Sequence, residues 1–265
     1  MNPLQQYVRS GGISAVTVLQ ALALVAPLAM AIIDRGIGTV QIAITSISVC
    51  VLWEILFAST RGQHWSFNGV TTGILVAILV SSETSLWQIT IAASLGMVIG
   101  ELIFGGRGFG FLNATVVSLA ILMLSFPSTS LAPATAQVAL ATAPGLVLLY
   151  ISGLVPWRVL LTCLGLVLAF ALLEDATTDV GSILAGVVFG VTFLVADPFA
   201  CCQSRTGQFL QGALAAVLIV VFNNGPTSIS TQSLVQTALM CSLIAPLIDQ
   251  ISIVIKLKLR GRNYG

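Results

Sequence analysis

Long apolar runs, separated by short polar stretches, make up most of the chain. A helix needs about 20 apolar residues to cross a bilayer, and about 17 suffice when its ends lie inside the protein. By this measure the pattern predicts ten membrane-spanning helices. They cover residues 12–33, 37–58, 67–82, 86–104, 109–126, 135–154, 157–173, 180–196, 206–222 and 231–255. The third, seventh and eighth are short, which is typical of segments whose backbone lines a buried site rather than lipid.

Composition supports this interpretation. Only 7% of the 265 residues are charged, whereas about a quarter are charged in an ordinary soluble domain. The mean hydropathy is +1.05, and the apolar runs recur along the whole length, so a multi-pass membrane protein is predicted. A net charge of +1 gives no basic surface for nucleic acid. No small-residue cleavage site follows the first apolar run, so we expect no cleaved signal peptide.

Basic residues predict the orientation. If the N-terminus lies in the cytoplasm, ten crossings place nine of the ten Lys and Arg residues on the cytoplasmic side, and only Arg35 lies outside. The loop after the seventh span carries Glu174, Asp175 and Asp179 instead. This distribution follows the positive-inside rule, so both termini are predicted to be cytoplasmic.

An even number of spans permits two halves of five. Because five is odd, the second half would be inverted relative to the first. Residues 67–80 resemble residues 179–198, and residues 105–117 occupy the position that 223–235 occupy in the second half. The predicted fold is therefore an all-α integral membrane protein of about ten transmembrane helices, built as two inverted five-helix repeats. The predicted repeats are residues 1–128 and 129–265.

Four stretches occur in the order in which one known family carries similar segments. They read TTGILVAIL (71–79), VIGELIFGGRGFGFLN (98–113), FLVADPFACCQSRTGQFLQGAL (193–214) and LIAPLIDQ (243–250). Together they resemble the membrane subunit shared by the Na+-translocating NADH:quinone reductase (NqrB) and the Rnf complex (RnfD). The resemblance implies a bacterial inner-membrane subunit that binds FMN or riboflavin and passes electrons to quinone. It also implies partner subunits that carry flavin and iron-sulfur centres, and coupling to Na+ or H+ movement.

The chain also departs from this family. Family members have a longer N-terminus and a large loop between spans five and six, where a threonine carries FMN through a phosphoester bond. Here PATAQ (133–137) is similar to the core of that motif, which would make Thr135 the attachment residue. Pro133 replaces the family's glycine, and the upstream acid is missing. The alternative is that Thr135 simply begins a helix.

The glycine knot, residues 105–110, is predicted at the cytoplasmic end of the fourth span. Gly105, Gly106, Gly108 and Gly110 permit left-handed backbone and the close approach of a flat ligand. Freed backbone amides beside Arg107 would suit an anionic or quinone-carbonyl group. The resemblance implies that flavin and quinone lie nearby. The alternative is a tight interhelical turn with one positive-inside arginine.

Two acids lie inside predicted spans near this knot. Glu101 is one turn away, and Glu54 is near the cytoplasmic end of the second span. An acid within a span is costly, so both are candidate catalytic residues of a proton or Na+ relay. The alternative pairs Glu101 with Arg107 and Glu54 with Arg61 at the membrane interface.

Further polar residues follow from the family pattern. Asn113 stands at the asparagine of the family's Asn-Pro-Ala and, like Asp197, is a candidate cofactor-binding residue. Asp197 precedes a helix-ending proline, and the structural alternative is that it accepts hydrogen bonds from backbone or from Arg205. Asp249 allows the same two interpretations. With His64 as the one histidine, no metal cluster is predicted.

The small-residue stretches, residues 69–73 and 181–190, predict close helix contacts at the centre of the fold. Packing alone explains them, and a flavin between these helices is the alternative.

Three classes of function stay open. The first is a non-autonomous electron-transfer subunit of an ion-translocating oxidoreductase. Because the sequence has no dinucleotide fingerprint and no cysteine cluster, NADH oxidation and iron-sulfur chemistry would belong to partner subunits. The second is an inverted-repeat transporter or channel for a small solute. The third is a redox-inert scaffold subunit.

Overall fold

A computed structural model describes residues 3–133, 135–173, 180–223 and 229–262. Within these residues a helix lies at each of the ten predicted positions, and the all-α fold is confirmed. The α-helices are α1 (Pro3–Arg35), α2 (Ile37–Arg61), α3 (Asn68–Leu79), α4 (Leu86–Met97), α5 (Ala114–Ser125), α6 (Ala136–Ile151), α7 (Trp157–Leu173), α8 (Val180–Gly190), α9 (Arg205–Asn223) and α10 (Thr231–Arg262). Two π-helical turns, π1 (Val98–Leu102) and π2 (Val191–Val195), continue α4 and α8.

The helices differ in their capacity to cross a bilayer. Four described segments are long and apolar enough to cross by length and composition: Gly11–Arg35, Ile37–Arg61, Arg205–Asn223 and Thr231–Val254. The other described helices are apolar but shorter. The 12 residues of α3 span about 18 Å, and all but one of them are buried, so protein rather than lipid surrounds this helix. Ten crossings therefore stay a prediction.

Side-chain contacts define two ends of the helix bundle. At the arginine end, Arg107 binds Asp197, 90 residues away, and Arg158 binds Gln208. Arg61 also lies there, because its Nη1 donates to the carbonyl of Leu102 at 2.6 Å.

Different loops meet at the opposite end of the bundle. Arg35 donates to the carbonyls of Ile78 and Pro133, and the Thr231 hydroxyl donates to the carbonyl of Ala132. Arg35 is thus separated from the arginines of the other end, as the positive-inside pattern requires. The predicted acidic loop, residues 174–179, lies outside the described residues.

Irregular backbone lies at the arginine end in three segments, residues 62–67, 103–113 and 196–204. The predicted fifth span, 109–126, was wrong at its start, because α5 begins only at Ala114. Positive φ angles at Gly105, Gly106 and Gly108 turn the chain away from a helix. The Asn113 side chain then accepts the backbone N–H of Thr115 and caps α5.

The central glycines serve helix packing. A Cβ added at Gly73 would lie 2.5 Å from the Cα of Ile47 on α2, and one at Gly190 would lie 2.8 Å from Leu234 on α10. Between α3 and π2, the space lined by Leu75, Phe193 and their neighbours is about 10 Å³. An isoalloxazine ring has no room there, so the structure favours packing over a flavin between these helices.

Candidate functional site

Arg107 lies at the centre of a buried polar cluster. Its side chain is 5% exposed, and its Nη2 donates to Asp197 Oδ1 at 2.8 Å and to Gln20 Oε1 at 3.1 Å. Its Nη1 lies 3.7 Å from Glu101 Oε2, which also accepts a hydrogen bond from Asn68. The cluster joins α1, α3, π1, the glycine knot and the segment after π2.

The cluster holds two carboxyl groups and one guanidinium. Glu101 Oε1, Asp197 Oδ2 and Arg107 Nε are buried, and none of them has a hydrogen-bond partner among the described residues. Buried charges are costly unless they are paired and hydrogen-bonded. With both acids ionised, the cluster carries one net negative charge. Binding of a proton or of a monovalent cation would neutralise that charge.

Glu54 occupies a different position. Its Oε1 accepts the backbone N–H and the hydroxyl of Ser66, at 2.9 and 2.7 Å, and its Oε2 accepts the N–H of Gly69 at 2.7 Å. Glu54 thereby anchors Ser66 of the mostly exposed segment 62–67 to α2 and satisfies the start of α3, where backbone N–H groups have no helical partner. The predicted alternative partner, Arg61, was wrong.

A cavity of about 610 Å³ opens at the arginine end, between α1, α2 and the glycine knot. We call it the knot cavity. Five sequence-predicted residues line it: Glu54, Glu101, Gly105, Gly106 and Arg107. The two acids thus face one cavity, as the relay hypothesis requires.

The other predicted residues lie elsewhere. Gly108 packs against the Phe199 ring. The Arg107 guanidinium lies over the same ring, 4.8 Å from its centroid. Asn113 and Asp197 line the 10 Å³ space on the other side of Arg107. The structural alternative for Asp197 named backbone or Arg205 as its donor; Arg205 was wrong, because Arg107 donates to this carboxylate.

Thr135 is distant from this cluster. Its hydroxyl caps α6 at the N–H of Val138 and donates to Asp34 Oδ2 at 3.1 Å. Gln20 contacts Arg107 and lies 14 residues before Asp34 on α1, which corresponds to about 21 Å. A phosphoester at Thr135 would replace the hydrogen bond to Asp34 and bring a second negative group beside that carboxylate.

Asp249 has a structural role in the segment after π2. Its carboxylate accepts the backbone N–H groups of Gln203 and Ser204 and the Ser204 hydroxyl, at 2.7, 3.1 and 2.6 Å. It therefore fixes the loop that leads from Asp197 to α9.

Sequence reasoning missed several side chains of the cluster and of the knot cavity. Gln20 and Asn68 complete the buried cluster, although Gln20 is the one amide of the predicted span 12–33 and Asn68 the one amide of α3. Trp65 and Phe57 line the knot cavity, as does Phe109. An amide in a predicted span was the signal that could have identified Gln20, since such groups are costly in lipid and need partners.

The knot cavity fits a flat organic ring. Its volume lies within the range of about 300–1,000 Å³ that is typical of small-molecule sites, and it combines aromatic side chains with a few polar groups. Glycines at 105 and 106 keep the backbone uncovered by side chains on this wall. The residues present are thus compatible with a noncovalent flavin or a quinone head group.

Comparison with known proteins gives consistent results. A family model described as "NQR2, RnfD, RnfE family" matches residues 6–136 and 130–256. The NqrB subunit of the Na(+)-translocating NADH-quinone reductase from Ectopseudomonas mendocina (strain ymp) is 27% identical, over 80% of this chain and 66% of that protein. The NqrB subunits from Chromohalobacter salexigens and Pseudomonas aeruginosa (strain LESB58) are 25% and 24% identical, over 84% of this chain and 67% and 68% of theirs. The chain spans about two thirds of the length of these relatives.

Proposed function

Because the chain belongs to the NQR2, RnfD, RnfE family, we propose that it is the membrane subunit of an electron-transport complex in the bacterial inner membrane. In this role it binds flavin and passes electrons between redox centres of partner subunits and quinone. The observation that carries the proposal is the knot cavity, where aromatic side chains, an uncovered glycine backbone and two buried acids meet.

Each part of the cavity has a role in this proposal. Trp65 and Phe109 would hold a ring of FMN or riboflavin, and the glycine wall would let it approach the backbone. A bound flavin would supply electron transfer at this site. Glu101, one of whose oxygens has no partner among the described residues, would hold the proton or Na+ that balances charge when electrons arrive.

Flavin content of the purified protein tests the binding step. We expect about one noncovalent flavin per chain after extraction with acid and chromatography. Trp65→Leu should lower that content several-fold, whereas Trp157→Leu, outside the knot cavity, should leave it unchanged. A colourless protein whose proteoliposomes take up a solute would favour the transporter, and a colourless protein without flux would favour the scaffold.

Electron flow tests the rest of the proposal. In membrane vesicles that contain the chain with its partners, Glu101→Gln and Gly106→Ala should each slow NADH-dependent quinone reduction. If both variants sustain the wild-type rate, the assignment of the knot cavity to electron transfer is wrong. Repeating the assay with and without Na+, and with an uncoupler, distinguishes Na+ coupling from H+ coupling.

Covalent attachment of FMN at Thr135 is a separate proposal. Its support is the PATAQ stretch, and the geometry at Asp34 gives it none. Mass spectrometry of the intact chain and of the peptide containing Thr135 tests it. A mass increase equal to FMN minus water would establish the bond, and an unmodified peptide would remove Thr135 from the site.

We also propose that all ten helices cross the membrane as two inverted repeats, residues 1–128 and 129–265, with both termini in the cytoplasm. Helix α3 is the third helix of the first repeat and starts at the arginine end, whereas α8 is the third helix of the second repeat and, through π2, ends there. These opposite directions support the inversion. Reporter fusions after Arg35 and after Gly265 test the orientation. The first should report the outer side and the second the cytoplasm.

A further inference from the structure

A second cavity of about 600 Å³ lies at the arginine end, between α6, α7 and α9. We call it the Arg158 cavity. Its polar lining residues are Gln5, Tyr150, Arg158, Gln203 and Gln208. It shares no lining residue with the knot cavity, so the proposed electron-transfer site does not account for it.

Among the described residues that line this cavity, Arg158 is the cation and none is acidic. Nη1 of Arg158 donates to Gln208 Oε1 at 3.2 Å, and the guanidinium lies 4.7 Å from the centroid of the Trp157 ring. Within the described residues its Nη2 and Nε have no protein acceptor, so they can donate to an anion. Arg107 differs, because two acids already accompany it.

The surroundings of Arg158 complete an anion site. The N–H groups of Trp157 and Arg158, the first two of α7, have no backbone acceptor among the described residues, whereas the next two donate to the carbonyl of Pro156. The two open N–H groups add partial positive charge beside the guanidinium. The amide of Gln5 is held on the carbonyl of Ile151 at 3.5 Å, at the rim of the same cavity. These donors suit the oxygens of a phosphate group.

Two aromatic side chains lie at the rim of the Arg158 cavity. Tyr150 and Trp157 are 59% and 44% exposed at the rim, where aromatic side chains of membrane proteins contact lipid head groups. One turn from these aromatic residues along their helices, Val147 on α6 and Leu161 on α7 are also exposed, and such apolar side chains suit acyl chains.

We propose that the Arg158 cavity binds the phosphodiester of an anionic phospholipid at the cytoplasmic face of the membrane. A zwitterionic head group is disfavoured, because its ammonium would meet the Arg158 guanidinium and no carboxylate. Basic pockets between helices on this face of a membrane commonly hold anionic lipids.

Native mass spectrometry of the purified chain tests the proposal with phosphatidylglycerol, phosphatidylcholine and glycerol phosphate as probes. We expect phosphatidylglycerol to bind about tenfold more tightly than phosphatidylcholine, which corresponds to about 1.4 kcal/mol. Arg158→Gln should abolish this preference, and Arg158→Lys should keep most of it. Arg205→Gln is the matched control, since it removes an exposed arginine at the same end and should leave the preference unchanged.

Three results would overturn the proposal. The first is an unchanged lipid preference in Arg158→Gln, and the second is an equal loss in Arg205→Gln. In the third, glycerol phosphate binds as tightly as phosphatidylglycerol, which would assign the cavity to a soluble phosphate compound. If Arg158→Gln fails to fold, Arg158→Lys and Trp157→Leu keep the test decisive: the lysine must retain the preference, and the leucine must weaken it.

Discussion

Removing the charge of Arg107 should destabilise the protein more than removing either acid beside it. In Arg107→Gln, two carboxyl groups that are 3% and 1% exposed lose their cation. Breaking a buried ion pair in this way costs about 3–5 kcal/mol, because an uncompensated charge stays behind. We therefore expect the free energy of unfolding to fall by about that amount.

The two acids should differ from each other. Asp197→Asn keeps an oxygen that can accept from Arg107 but loses a charge-assisted bond of 2.8 Å, so we expect a loss of about 1.5–3 kcal/mol. Glu101→Gln loses a 3.7 Å contact with Arg107, keeps an oxygen that can accept from Asn68, and leaves one acid and one cation. Its cost should stay below that of Asp197→Asn, because the contact that it loses is longer than a hydrogen bond.

Titration with SDS in mixed micelles, followed by tryptophan fluorescence, measures these free energies. Arg205→Gln serves as the control, because Arg205 is exposed at the same end, and its effect should be within about 0.5 kcal/mol of zero. The double variant Arg107→Gln/Asp197→Asn should cost at least about 1 kcal/mol less than the sum of the single variants. If Arg107→Gln lies within about 1 kcal/mol of wild type, or if Glu101→Gln proves the most damaging, the account of this cluster is wrong.

Three further predictions concern packing, capping and thiol access. Gly73→Ala should lower the free energy of unfolding by about 1–3 kcal/mol, because the new Cβ would lie 2.5 Å from the Cα of Ile47. Gly165→Ala should be neutral or stabilising, because no atom lies within 4 Å of its new Cβ. Thermal unfolding in detergent compares the two variants. Glu54→Gln should cost about 2 kcal/mol in the same assay, because an amide cannot accept all three hydrogen bonds, and an unchanged midpoint would contradict this capping role. All five cysteines are buried, and burial raises the pKa of Cys201 to about 12. Maleimide should therefore label the folded protein slowly at pH 7.5 and label all five thiols in SDS. Fast labelling of the folded protein would contradict the packing.

Helix positions and family were accessible from the sequence, because both depend on local signals. Apolar runs indicate where a helix can lie, and the GGRG and ADP stretches can be recognised in the sequence without knowledge of the tertiary structure. The local signal misled where irregular backbone is apolar. Phe109, Phe111 and Leu112 read as the start of a span, but positive φ angles in the knot keep these residues outside α5.

Pairings between distant residues could not be predicted. Nothing near Asp197 indicates that its partner is Arg107 rather than Arg205, because the choice depends on how the two halves pack. The same holds for Glu54, whose partners are Ser66 in the loop before α3 and Gly69 at the start of α3. A buried acid shows that a partner exists, and only the tertiary structure shows which one.

The contact between Arg107 and Asp197 also sets an order of events during biosynthesis. The ribosome adds the 90 residues that separate them in roughly 5 to 18 seconds at typical synthesis rates. Throughout that interval Arg107 is already made while its strongest acceptor is not. Until Asp197 is made, Gln20 and Glu101 are the partners already available to Arg107, so the buried cluster is completed only when the segment after the eighth helix arrives.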